Sequence, residues 1–178
     1  SFTGDKIFKD GKLLNIIVTE ESRFWKFLSQ KKFLNQKLIE LDKNLLENYY
    51  LNNGYYNVEI LNTTAKNLIN NKFDIEYNIN AGKKIYFDKF KLNLPNNFDK
   101  ENFSKVIEKF DTYSGTYYSK NKVKELIEEI NMIGLNKQYQ FINANIQETL
   151  VGNDKINITL DVDESDKFFV NRINISGN

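Results

Sequence analysis

Lys72-Phe-Asp-Ile-Glu-Tyr-Asn-Ile-Asn-Ala-Gly-Lys-Lys-Ile-Tyr-Phe-Asp-Lys-Phe-Lys-Leu-Asn93 can be laid without a gap on the segment from Lys155 to Ser176, at a constant offset of 83 residues. Phe73, Ile75, Tyr77 and Ile79 fall on Ile156, Ile158, Leu160 and Val162, and Lys84 falls on Lys167. Further on, Tyr86, Lys89, Phe90 and Leu92 fall on Phe169, Arg172, Ile173 and Ile175. Both copies alternate apolar and polar residues with period 2, which puts the apolar set on one face of a half-buried strand. A strand, a break at Ala81-Gly82 or Glu164-Ser165, and a second strand therefore occur twice. Such a repeat decides the architecture.

Working outward, the length of 178 residues divides into two small units. Each unit buries only ~60–65% of the surface its unfolded chain exposes, enough to fold but with modest stability. Apolar content of 40% with 14% aromatics is that of a globular chain. A net charge of +1 gives no electrostatic footprint for nucleic acid. There is no cysteine and no histidine. That removes thiolate chemistry, disulfides, the usual general base near neutral pH and the commonest metal ligand. No apolar run approaches the ~20 residues of a membrane-spanning helix. Neither an enzyme nor a cofactor site is expected. The densest carboxylates, Asp161, Asp163, Glu164 and Asp166, lack the glycine and terminal glutamate of a calcium loop and read as a solvated strand face and turn.

Along the chain, Ser1 to Asp5 reads as the tail of a strand, similar to Ile175-Ser-Gly-Asn178, so the chain starts and stops at one point of the repeat. Lys6 to Thr19 reads as a short helix burying Ile7, Leu13, Leu14, Ile16 and Ile17. Glu20 to Lys32 is a connection with the aromatic cluster Phe24, Trp25 and Phe27. Leu34 to Leu51 carries the longest helical pattern (Leu38, Ile39, Leu41, Leu45, Leu46, Tyr49), stopped by Asn52-Asn-Gly54. Tyr55 to Leu61 alternates as a strand, with Tyr56, Val58 and Ile60 on one face, and Asn62 to Asn71 reads as polar connection. The second unit repeats the order. Phe87 to Leu94 is a strand, and Asp99 to Phe110 is a short helix with Phe103, Val106, Ile107 and Phe110 inward. Ser119 is the N-cap of a helix to about Leu135, whose apolar face is Val123, Leu126, Ile127, Ile130 and Ile133. A strand through Ile142, Ala144 and Ile146 follows. The helices align at an offset of 84: Ile39 on Val123, Leu46 on Ile130, Leu51 on Leu135. Each unit reads β-α-α-β-β, an α+β fold with a three-stranded sheet covered by two helices.

That order, in tandem, resembles the POTRA (polypeptide-transport-associated) family. Leu45-Leu-Glu-Asn-Tyr-Tyr-Leu-Asn-Asn-Gly-Tyr-Tyr56 is similar to its helix-to-strand signature, and Arg172-Ile-Asn-Ile-Ser-Gly-Asn178 to the strand leading into a next domain. Ser22-Arg-Phe-Trp-Lys-Phe-Leu-Ser29 resembles the third domain of BamA-like assembly factors. The resemblance covers the whole chain: residues 1–83 as a third domain, 84–167 as a fourth, and 168–178 as the first strand of a fifth. Gln138 stands where Gly54 has its counterpart, and Asp5 and Pro95 stand where the family usually has Asn.

The resemblance implies the periplasmic part of an outer-membrane protein in a Gram-negative bacterium. Its partners would be unfolded outer-membrane β-barrel proteins, BamB-like accessory lipoproteins, neighbouring POTRA domains and a C-terminal β-barrel of the same chain. Within the family, the strand after the long helix is an open sheet edge. Here that is Tyr55, Tyr56, Asn57, Val58, Glu59, Ile60 and Leu61, and in the second unit Phe141 to Gln147, with Asn143 and Asn145. An edge strand offers unpaired N–H and C=O groups, and strand addition tolerates many sequences because main-chain bonds supply the affinity. A guest of ~5 residues gains about 5 bonds at ~1 kcal/mol net and loses a comparable ordering entropy, which leaves contacts of about millimolar strength. Two other readings stay open: a rigid spacer without substrate binding, and the POTRA array of a related secretion or translocation transporter.

Overall fold

The computed structural model describes residues 1–19, 36–68, 72–136 and 142–164. Two three-stranded sheets are built in succession, each backed by helices. The first takes β1 (Phe2–Asp5), α1 (Asp10–Leu14), α2 (Gln36–Leu51), β2 (Glu59–Leu68) and β3 (Lys72–Asn80). The second takes β4 (Tyr86–Asn93), a 3-10 turn (Lys100–Phe103), α3 (Ser104–Tyr113), α4 (Lys120–Asn136), β5 (Ile142–Val151) and β6 (Lys155–Glu164). The α+β order expected from the repeat is the order found.

The repeated stretch is central in both sheets. The strand orders are β1-β3-β2 and β4-β6-β5, with the central strand parallel to the first and antiparallel to the last. A central strand must bury one whole face, which is why β3 and β6 alternate most cleanly. Tyr77 and Ile79 are buried in the first core, and Ile156, Ile158, Leu160 and Val162 in the second. Leu13, Leu46 and Tyr50 cover the first sheet; Phe103, Val106, Val123, Leu126 and Ile130 cover the second.

The differences from the periodicity lie at element ends. The first helix is shorter than expected, and Ile7 and Leu14 are exposed while Leu13 is fully buried. Ile7 sits at φ 53°, inside a tight turn closed by Phe8 N–H to the Lys6 carbonyl, a conformation β-branched residues rarely take. On α2 the buried residues are Asp42, Leu46 and Tyr50, while Leu41 is exposed. The long helix is thus rotated from its apolar reading, because a carboxylate takes a core position. On α3, Ile107 is exposed and Tyr113 takes the inward place. The cluster at Phe24, Trp25 and Phe27 lies outside the described residues.

Candidate functional site: two sheet edges and the joint between the units

The first expected edge moves along the chain. Only Glu59, Ile60 and Leu61 of the seven residues read as strand lie on β2, which continues through the Asn-rich segment to Leu68. Tyr55, Tyr56, Asn57 and Val58 form the turn before it, with Tyr55 N–H on the Tyr50 carbonyl at 3.1 Å and Val58 N–H on the Tyr55 carbonyl at 3.3 Å. The alternation misleads because its apolar residues serve different cores. Tyr55 and Val58 pack on the first core, Tyr56 packs on the second, and Ile60 alone is a buried strand residue. Asn62 to Leu68 is strand because it pairs residue for residue with Asn78 back to Lys72, a tertiary constraint that overrides polar composition. A bulge at Leu61, half exposed, separates this stretch from Glu59–Ile60.

On the second sheet the expected strand is present and longer. Asn143, Asn145 and Gln147 are exposed on β5, their neighbours Ile142, Ala144 and Ile146 pack on the core, and Phe141 lies outside the described residues. β5 keeps an unbroken antiparallel register with β6 from Ile142↔Glu164 to Val151↔Lys155. Among the described residues neither β2 nor β5 has a second strand partner. The opposite edge differs. There, Phe87 N–H donates to the Thr116 carbonyl and Phe87 accepts from Gly115 N–H, both at 2.9 Å, while Ser114 Oγ donates to the Asp88 carbonyl at 2.8 Å. The loop after α3 therefore occupies the start of β4.

Sequence reasoning missed the joint, where the end of α2 meets the start of α4. Asn52 donates its amide to the Asn48 carbonyl of its own helix at 2.8 Å. Its Oδ1 accepts from the Asn121 backbone N–H at 2.7 Å and from Ser119 Oγ at 3.1 Å. One side chain thus adds a second donor to the Asn48 carbonyl, which already accepts from the Asn52 backbone N–H at 3.0 Å, and caps an orphan N–H of the next helix. Ser119 is an N-cap as expected, with Lys122 N–H on its Oγ at 3.4 Å, but it shares the work with a residue from the other unit. Lys120 Nζ donates to Asn48 Oδ1 at 3.0 Å.

The strand side of the joint is equally direct. Ile85 N–H donates to the Gly54 carbonyl at 2.8 Å, and its carbonyl accepts from Tyr118 N–H at 2.9 Å. The Lys84 ammonium lies 4.6 Å from the Tyr117 ring centre and 5.8 Å from that of Tyr55. Gly54 has φ 97°, and a Cβ there would come within 2.9 Å of Lys84 Cγ and 3.1 Å of Tyr117 Cβ. Tyr56 meets Tyr118 edge to face at 4.9 Å, and Tyr118 donates to Glu148 on β5 at 3.0 Å. Burial first, and Glu148 second, push the Tyr56 phenol up to about 12. Leu51 also packs on the second unit's core. A signal was present in the sequence, since Leu51 to Tyr56 sits at the helix end facing the next strand, but its partners at 116–121 are ~65 residues away and periodicity carries no such information.

Residues 1–82 match the POTRA family model, described as surface antigen variable number repeat. The outer membrane protein assembly factor BamA of Neisseria meningitidis serogroup B (strain ATCC BAA-335 / MC58) is 25% identical over 181 residues, covering 99% of this chain. That of Buchnera aphidicola subsp. Acyrthosiphon pisum (strain APS) is 26% identical over 181 residues, covering 98% of it. The chain spans 22% and 28% of the length of these two relatives. The crystal structure of Haemophilus influenzae BamA POTRA3-5 superposes with a TM-score of 0.67 at 17% identity, over 93% of this chain and 65% of that one.

Proposed function

This is a chain of BamA-like POTRA build, and from that premise we propose that it receives unfolded outer-membrane β-barrel proteins by strand addition, as a periplasmic module of an assembly factor. BamA-like POTRA domains are periplasmic parts of Gram-negative outer-membrane proteins, and the module takes that location. We divide it at residues 83 and 84, with the second domain running to 167 and 168–178 opening a third.

The observation that carries the reading is the asymmetry of the second sheet. Its β4 edge is occupied from within by the loop at Gly115–Thr116, while β5 presents ten residues in regular register with one strand neighbour among the described residues. A regular edge is the form a guest strand can extend, whereas a bulge turns an edge away from pairing. That ranks β5 above β2 as the substrate strand. On β2 the contact set becomes Glu59 to Leu68, which we assign to a BamB-like lipoprotein together with the adjacent face of α2. Tyr55 to Val58 leave both sets.

A titration of the labelled protein with peptides from β-barrel strands tests this, following the amides of Asn143 to Thr149 and of Glu59 to Leu61. Saturable shifts confined to β5 at about millimolar peptide are expected, the strength that a few net backbone bonds give. Absence of shifts on either edge at that concentration leaves the spacer as the better account.

A further inference from the structure

We propose that Asn53-Gly54, where α2 ends, is a deamidation site that the closed joint protects, and that its conversion loosens the joint. The inference rests on the geometry at that helix end and is independent of strand addition.

Asn53-Gly54 is the only Asn-Gly pair in the chain. Glycine matters because it carries no Cβ beside the nitrogen that reacts. The Gly54 backbone nitrogen, its proton passed to hydroxide, attacks Asn53 Cγ. A cyclic imide closes as the Cγ–Nδ2 bond breaks, and Nδ2 takes a proton from water and leaves as ammonia. Water then opens the ring. Cleavage of the new Cγ–N bond leaves aspartate at this position. Cleavage of the original peptide bond leaves isoaspartate, whose main chain runs through Cγ and is one methylene longer.

The closed joint opposes ring closure on both sides of that bond. Asn53 Nδ2 donates to the Tyr49 carbonyl at 2.8 Å, which ties the amide to the preceding helical turn. Gly54 is buried, its carbonyl accepts from Ile85 N–H at 2.8 Å, and Lys84 and Tyr117 leave no room for even a methyl group on it. The two atoms that must meet are thus held apart until the helix end frays and Gly54 is released. Either product then works against reclosure. A carboxylate cannot donate to the Tyr49 carbonyl, and it sets negative charge at the carbonyl end of a helix. Isoaspartate also lengthens the chain between two contacts of the joint: Asn52, whose Oδ1 accepts from Asn121 N–H, and Gly54, which holds Ile85.

Peptide mass spectrometry after incubation at mildly alkaline pH follows the amide-to-acid conversion at each asparagine. In urea, Asn53 should convert faster than the other asparagines; if it does not, it is no special site and the proposal falls. In the folded protein its conversion should be slower by at least about tenfold, as for a group reached only through local opening. Equal rates in the two conditions overturn protection by the fold. Asn52→Ala removes the acceptor for Asn121 N–H, and should raise the folded rate severalfold while leaving the urea rate unchanged. An unchanged folded rate shows that the joint is not what protects Asn53. Asn53→Asp reproduces one product, and should speed hydrogen exchange at the Ile85 and Asn121 amides, while Asn53→Gln, which keeps the donor, should not. Exchange at wild-type rates in Asn53→Asp overturns the loosening. Strand binding at β5, read by the peptide titration, is independent of these results.

Discussion

Asp42 and Tyr77 occupy in the first unit the places that Leu126 and Leu160 occupy in the second. All four are buried, at 0–1% exposure. In the second unit the slot is filled by apolar volume. In the first, the Asp42 carboxylate accepts from Val18 N–H at 2.8 Å, from the Tyr77 phenol at 2.7 Å and from the Thr19 hydroxyl. The same backbone template thus closes by two chemistries. Leucines contribute transfer free energy without direction. A buried carboxylate contributes only when its donors are in place, and in exchange it fixes which segment lies where. Here it pins the chain leaving α1 against the long helix and the central strand. The first unit is accordingly the one whose core depends on geometry, and the second the one whose core depends on volume.

Alkaline pH should produce the largest effect and reach both units. Burial raises the phenols of Tyr50 and Tyr77 in the first unit and of Tyr118 and Tyr113 in the second, Tyr113 to about 12 with Glu125 as the second cause. A folded pKa above the unfolded value means that the folded state holds its proton longer. The stabilisation is complete below about pH 10 and is lost as pH rises from there through the folded values. Unfolding followed by circular dichroism should set in above pH 10 together with the last part of the tyrosinate absorbance, that of the buried phenols; complete tyrosinate formation while the fold persists would break the argument for both cores.

Substitutions then separate the two chemistries. Asp42→Ala leaves the buried Tyr77 hydroxyl, and the part-buried Val18 N–H and Thr19 hydroxyl, without their acceptor and should cost ~2–4 kcal/mol in denaturant unfolding. Leu126→Ala, in the equivalent slot, leaves a cavity and should cost ~2–5 kcal/mol. The sharper difference lies in location, read by hydrogen exchange: loss of protection around Val18 to Tyr77 for the first variant and around β6 for the second. Tyr77→Phe removes one hydrogen bond to a charged group and should cost ~1.5–3 kcal/mol, with no counterpart effect in the second unit.

The smallest expected effects concern glycines at positive φ. Gly54→Ala combines left-handed strain with contact against Lys84 and Tyr117 and should cost ~2 kcal/mol. Gly115→Ala, at φ 73° with nothing within 4 Å of the new methyl, should cost ~1 kcal/mol from backbone strain alone. Only the Gly54 variant should also change the relative tumbling of the two units in relaxation measurements. Equal effects from both would show that the joint contributes no packing at that point.

The amino-acid sequence by itself determined the repeat, the β-α-α-β-β order and the one-faced alternation of Lys72–Asn80 and Lys155–Glu164; that these strands are central came from the tertiary structure. A strand buried on one face has to alternate, and a duplicated strand pair has to alternate twice. It also placed Ser119 as a cap and β5 as a strand, because caps and amphipathic periods are local. Only the tertiary structure decided the rest. Asp42 reads as a surface residue until three donors surround it, and Asn62–Leu68 reads as connection until β3 lies beside it. Tyr56 reads as a strand residue of the first unit and Asn52 as its helix stop until the next unit meets them. In each case the deciding partner is distant in the chain, and the free energy that overrides local preference comes from groups that folding alone brings together.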